Sequence, residues 1–266
     1  MADDDTSNLV TYERTDEIVT ITLRRPEKLN AFSDELVVAL NDALRRFDAE
    51  PEAHLAIING EGRAFSTGAD VQQRQLRSRE EFERLGGPQG FGANSADLLT
   101  KSVNWKPVIA SVHGYVMGLA VGIVLECDLI VAEEGTQFQI TETSRGLGAA
   151  KYWGLMDFRG GGAFGAEMAL TGRFFTAEEA LAANIINRVA PKGTYMEVAM
   201  ELAREVCKNP PLSVRATVRG RRWFMDQRGR ELTMMSAPLK LYLSEDFKEA
   251  ASAFAEKREP RPFKGR

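Results

Sequence analysis

The sequence predicts an α/β fold in which short buried strands pass through turns of small residues into helices, with an all-helical region at the C-terminal end. Three observations predict it. Apolar runs of strand length recur at 54–59, 108–112 and 128–132, and each is too short for a buried helix. After 108–112 the pattern changes, past His113 and Gly114, to helical spacing of small residues at Gly118, Ala120 and Gly122, followed by Ile123, Val124 and Leu125. From Tyr195 onward the strand signals stop and helical spacing fills the remainder.

Composition narrows the class. A chain of 266 residues with 44% hydrophobic content buries a substantial single core. The net charge of -4 and pI near 5.5 argue against a nucleic-acid surface, so no nucleic-acid partner is expected. Cys127 and Cys207 stand far apart in apolar helical contexts and read as reduced core thiols. The first residues, MADDDTSN, carry no basic or apolar leader, and no apolar run reaches the length of a membrane span. A cytoplasmic protein with no membrane partner is therefore expected, and no metal site is read from the sequence.

In chain order, 8–14 and 18–23 alternate as paired strands around a turn at 15–17. A polar loop at 24–30 leads to Ser33, a natural N-cap for a helix through Ala49 with Leu36, Val37, Leu40, Leu44 and Phe47 on one face. The strand at 54–59 delivers the turn Gly60-Glu-Gly-Arg-Ala-Phe-Ser-Thr-Gly-Ala-Asp70. A charged stretch at 71–85 reads as helix, the glycine-rich 86–92 as a mobile loop, and 97–105 as a helix closed by Lys106-Pro107. Beyond the strand at 128–132, helices are expected at 163–171 and 176–183 and a short strand at 185–189. The tail divides into helices at 195–207, 211–228, 230–244 and 245–257. It cannot bury much alone and is expected to pack on the core and on neighbouring subunits.

The helix start near Gly118 leaves unpaired amides at the positive end of a helix dipole, and small residues let a ligand approach the backbone. Amides around Gly118 and Leu119 are thus candidates to hold a developing oxyanion. Ser66 lacks the surroundings of a hydrolase nucleophile. The Gly160–Gly165 cluster formally fits G-x-G-x-x-G, but no apolar strand precedes it, so it is not read as a dinucleotide site.

Four motifs, AFSTGAD, HGYVMGLAVGIVLECDLIVA, the TE…GL segment around Glu142 and the terminal SEDFKEAASAFAEKREPRPFKG, occur in order. Together they resemble the enoyl-CoA hydratase/isomerase (crotonase) superfamily over nearly the whole chain. The resemblance implies a crotonase-like spiral of ββα units over residues 1–194 holding an acyl-CoA site. Residues 195–266 are implied to form a helical trimerisation region, making a homotrimer or a dimer of trimers. It further implies Glu142 as the catalytic acid/base and the amides of Ser66 and Leu119 as oxyanion donors. Coenzyme A, carried as part of the substrate and not as a separate cofactor, would meet Lys28, Leu29, Ala64, Gly68, Ala69 and Asp70, with Phe254 and Lys257 reaching a neighbour's site. Tyr115, Gly118, Gly122, Tyr152 and Trp153 are pocket candidates. His113 matches a structural position.

One position departs from the pattern. The first of the two glutamates that hydratases of this family use falls on Gly122, whereas the second is present as Glu142. One carboxylate can carry a proton from one carbon to another, which converts a 3-enoyl-CoA into a 2-enoyl-CoA. Adding water needs an oriented water and a second acid. The expectation is isomerase-like chemistry. The alternatives are a hydratase with a substitute second group and a non-catalytic relative that binds acyl-CoA or RNA.

Overall fold

The computed structural model describes residues 8–87, 99, 103 and 105–266. Strands β1 (Val10–Thr15) and β2 (Ile18–Leu23) form the antiparallel hairpin read from alternation, with Asp16 turned to φ 53° at the bend. β2 then pairs in parallel with β3 (Leu55–Gly60), β3 with β4 (Val108–Val112), and β4 with a later strand at Leu129–Glu133. All of β3 and β4 is buried, which is why they read as unbroken apolar runs without alternation.

Two features separate the architecture from the sequence reading. The residues after β4 make a second strand, β5 (Tyr115–Met117), before helix entry. With Leu129–Glu133 as β6, β5 pairs in parallel with β7 (Gln137–Gln139), which pairs antiparallel with β8 (Phe174–Thr176). The final strand, β9 (Arg188–Ala190), completes the main sheet beside β6 and starts later than the expected 185–189. The result is a six-stranded sheet in the order β1-β2-β3-β4-β6-β9 and a three-stranded sheet β5-β7-β8.

The first helix, α1 (Asp34–Ala49), begins as expected, with the Leu36 amide donating to Ser33 Oγ at 3.2 Å. Its C-terminal carbonyls are closed by the buried Lys106, whose Nζ donates to Phe47 O at 2.8 Å and Glu50 O at 2.6 Å. The single helix expected at 71–85 is instead α2 (Val71–Arg74) and α3 (Arg79–Leu85). A second cap explains the break, because Ser78 forms a capping box with Glu81 and restarts the helix. Most of the loop at 86–92 and of the helix at 97–105 lies outside the described residues.

Helix α4 (Leu119–Glu126) is apolar but for its last residue, Glu126, and enclosed, as its composition requires. It is followed by α5 (Ala150–Arg159), α6 (Gly162–Thr171) and α7 (Ala177–Ala182), the last opened by a Thr176–Glu179 capping box. Gly160 ends α5 in the left-handed region and Gly161 caps α6, so the glycine cluster is a helix-to-helix turn.

In the tail, α8 (Tyr195–Cys207) lays Ala199 and Ala203 against Ile57, Ile109 and Val131 on the face of the main sheet away from the large core. One long helix, α9 (Pro211–Ser236), replaces the two expected at 211–228 and 230–244. Gly229 alone does not break it, since a lone glycine costs only about 1 kcal/mol in a helix interior. The 230–244 segment ends instead in two 3₁₀ turns, Ala237–Leu239 and Leu241–Leu243, before α10 (Glu245–Ala255). α9 is fastened by buried Arg222, which bonds Asp128 Oδ2 at 2.5 Å and the Lys106 carbonyl at 2.8 Å. Asp128 Oδ2 also accepts from the Val108 amide at 2.8 Å, which makes Asp128 structural.

Gly114 is where the turn after β3 meets the turn after β4. Its φ is +63°, and a Cβ there would stand 2.1 Å from the Arg63 carbonyl oxygen. Gly114→Ala is expected to destabilise the protein by at least about 2 kcal/mol. The check is a lower urea midpoint with an unchanged slope relative to wild type.

Candidate active site

The small sheet sets the geometry of the site. Pairing of β5 with β7 puts Met117 opposite Gln139, and the Gly118 amide then donates to Gln139 O at 2.8 Å. The next residues on each chain, Leu119 and Thr141-Glu142, are thereby held side by side. Gly118 is the hinge of this arrangement. Its φ is +49°, and a Cβ would lie 2.5 Å from Thr141 Oγ1 and 3.4 Å from Glu142 Oε1, so only glycine fits.

The AFSTGAD turn packs against the same point. A Cβ on Gly68, at φ +88°, would stand 2.6 Å from the Met117 carbonyl oxygen and 3.4 Å from the Leu119 nitrogen. Within this turn the structure corrects one assignment. Ser66 is fully buried and its amide donates to Tyr115 O at 3.1 Å, while its hydroxyl donates to Asn30 O at 2.7 Å. Its amide is committed to the β5 bridge and is not free to meet a ligand. Three residues on, Ala69 is the member of the turn that lines both cavities. Neither the Ala69 nor the Leu119 amide has an acceptor among the described residues.

Two cavities meet here. The first, of about 290 Å³, is lined by Gly122, Glu142, Lys151, Tyr152, Leu155 and Tyr242, among others. The second, of about 850 Å³, is lined by Arg25, Lys28, Leu29, Asp70, Arg145 and Phe254, among others. Ala69, Gln75, Leu119 and Glu142 line both. The Leu119 side chain turns into the core, with 6% of the residue exposed, so its bulk leaves the amide accessible.

Of the remaining expected site residues, Lys28, Leu29, Asp70 and Phe254 line the second cavity, and Gly122 and Tyr152 the first. Phe254 is held under Arg145, whose guanidinium lies 3.4 Å from the ring centroid. Ala64 is buried, its carbonyl accepting from Asn30 Nδ2 at 2.9 Å, and Gly68 serves through the close packing just described. Tyr115 and Trp153 are not brought to either cavity, because β5 and α5 point them outward at 45% and 37% exposure. Lys257 is likewise exposed and lines neither cavity. His113 stacks on Tyr195 and its Nε2 lies 2.9 Å from Gly62 O, a structural setting.

Glu142 is the one carboxylate among the described residues lining the first cavity. Its Oε1 accepts from the Tyr152 hydroxyl at 2.5 Å. Its Oε2 is shut off from solvent with no hydrogen-bond partner among the described residues. Burial pushes the Glu142 carboxyl up to about 7, partly offset by the Tyr152 hydrogen bond and the Arg145 charge. Burial first, and then the adjacent Glu142 charge, hold the Tyr152 phenol well above its ordinary value, so it stays a donor. Sequence reasoning missed the buried ion pair of Lys151 Nζ with Glu126 Oε1, at 2.6 Å, which ties α5 to α4 behind Tyr152. It also missed Arg74, which is 1% exposed at the wall of the first cavity with its Nε 3.4 Å from Asp34 Oδ1. An arginine and an acid in charged, helical stretches give no burial signal.

A profile of the enoyl-CoA hydratase/isomerase family matches residues 13–266. The chain is 35% identical over 265 residues to a carnitinyl-CoA dehydratase of Salmonella typhimurium, covering 95% of this chain and 97% of that protein. It is 32% identical over 258 residues to a mevalonyl-coenzyme A hydratase of Aspergillus fumigatus, covering 94% and 93%. A crystal structure of carnitinyl-CoA hydratase from Mycobacterium avium superposes with a TM-score of 0.76 at 31% identity, covering 97% of this chain and 99% of that one.

The buried carboxyl makes a stability prediction. An acid whose folded value is raised resists ionising in the fold, so its cost is absent at low pH and grows as pH rises from about 4.5, the unfolded value, through about 7. Glu142→Gln removes that cost. Relative to wild type the variant should gain up to about 3 kcal/mol between pH 4.5 and pH 8. Urea unfolding at pH 4.5, 6 and 8 checks this, and a constant difference across the series would contradict it.

Proposed function

Because the chain belongs to the enoyl-CoA hydratase/isomerase family, whose members act on acyl-CoA thioesters and share the crotonase fold, we propose that it moves a proton between two carbons of a 3-enoyl-CoA, giving the 2-enoyl-CoA. The observation that carries this reading is the single carboxylate, Glu142, at the junction of the two cavities, opposite a residue 122 that has no side chain.

In this reading the second cavity takes coenzyme A along Lys28, Leu29, Asp70 and Phe254, and the first takes the acyl group. The thioester oxygen accepts from the Ala69 and Leu119 amides, each contributing about 3 kcal/mol as charge develops on that oxygen. Glu142 Oε2 takes the proton from the α carbon. The electrons of the broken C–H bond form a dienolate whose oxygen the amides hold. The same carboxyl returns the proton to the γ carbon, leaving the double bond between the α and β carbons. Atoms balance with no water consumed. A carboxyl held near 7 suits both halves of this transfer, since it ionises and reprotonates close to neutrality.

Incubation with 3-enoyl-CoA and with 2-enoyl-CoA in heavy water tests the reading. Deuterium is expected at the α and γ carbons with little net hydration, and Glu142→Gln should cut the rate by at least about a thousandfold. Hydration of 2-enoyl-CoA at a rate matching isomerisation would overturn it in favour of water addition, the chemistry named for the hydratase and dehydratase relatives.

The same proposal includes self-association as a homotrimer or a dimer of trimers. It is supported by the apolar residues that α9 and the turn after it leave exposed: Trp223, Phe224, Met234, Met235 and Leu239. Light scattering should give three or six times the 29.4 kDa chain mass. A monomer at micromolar concentration would refute it.

A further inference from the structure

The space over Gly122 is filled. Gly122 lies in the first turn of α4, and a Cβ there would meet Tyr152 Cε1 at 3.2 Å and both Cζ and the hydroxyl oxygen at 3.6 Å. The phenol ring therefore lies across the volume that a side chain at 122 would enter. From that place its hydroxyl reaches Glu142 Oε1 at 2.5 Å, while Oε2 stays without a partner among the described residues. The helix that carries the ring is fixed to α4, because the adjacent residue Lys151 is ion-paired with Glu126.

We propose that Tyr152 is the positioning residue of this site: its hydroxyl fixes Oε2 as the working oxygen of Glu142, and its ring fills the volume in which a second acid or an attacking water would stand. This rests on the reading of Glu142 as the proton carrier and adds to it the reason that one carboxylate suffices. A hydrogen bond donated to one oxygen orients the carboxylate and favours its ionised form. A water placed beside Glu142 needs two or more free polar partners, and the hydroxyl that would serve is already engaged. The ring and Gly122 are thus two halves of one fit, since any side chain at 122 displaces the phenol.

Tyr152→Phe keeps the ring and removes the donor. NMR of the protein carrying ¹³C at the glutamate carboxyl carbons, with the Glu142 signal assigned by its loss in Glu142→Gln, reports the Glu142 titration without any turnover. In Tyr152→Phe its midpoint should rise above about 7. The acid limb of kcat/KM for 3-enoyl-CoA should move to higher pH with it, and kcat should fall roughly ten- to hundredfold with KM little changed. Gly122→Ala, whose methyl crowds the ring, should shift the midpoint in the same direction by a smaller amount. An unmoved midpoint in a folded Tyr152→Phe protein overturns the proposal. A shifted midpoint in a protein that does not isomerise 3-enoyl-CoA leaves the Tyr152–Glu142 pair standing and overturns the functional reading instead.

Discussion

The parallel pairing of Tyr115–Met117 with Gln137–Gln139 is the constraint on which the site depends. Without it the start of α4 and the Glu142 segment are two loops separated in sequence by more than twenty residues. With it they share one hydrogen-bond register, closed by the Gly118 amide on Gln139 O. The same strand is gripped from its other side, where the Ser66 amide donates to Tyr115 O and the Met117 amide to Ser66 O, each at 3.1 Å. Three stretches that follow different strands of the main sheet are therefore fixed against one another by backbone geometry. Side chains decide what happens there, but the backbone decides where.

The electrostatics follow from that enclosure. The Glu142 carboxyl loses hydration that the Tyr152 phenol, nearby backbone amides and the Arg145 charge restore only in part, so it holds its proton more tightly than a surface glutamate. The fold tolerates this because the surrounding elements are anchored elsewhere. Arg222 and Asp128 fasten α9 to the starts of β4 and β6, Lys106 closes α1, and Lys151 with Glu126 locks α5 to α4. Such pairs add little net stability when buried, but they define one geometry, since losing either partner strands a charge in the interior.

Much of this was legible in the sequence. The buried strands β3, β4 and β6, the Ser33 cap and the helix start at Leu119 all announce themselves through apolar runs, cap chemistry and small residues, whereas Glu142 stands out only through the family resemblance. The second sheet was not legible, because strands of three residues show too little alternation to distinguish them from turn. That omission hides the bond that ties up the Ser66 amide. Unless β5 is known to be a strand, nothing reveals that it consumes the Ser66 amide and leaves Ala69 facing the cavity. The long α9 was divided at Gly229 for a related reason, since packing that outweighs a local propensity leaves no local trace. Tyr115, Tyr152 and Trp153 were equal as aromatics near a pocket. Only the rotation of their elements separates the inward Tyr152 from the other two.

The contact between residues 122 and 152 couples α4 to α5 through side-chain size. The two positions lie thirty residues apart in the chain yet share one volume, so neither can change size freely while the other is fixed. An acidic side chain placed on the first turn of α4 would have to push the Tyr152 ring aside, and a small residue at 152 would leave that volume hollow. Glycine at 122 and tyrosine at 152 thus act as one unit of packing, and a change of size at either is felt at the other.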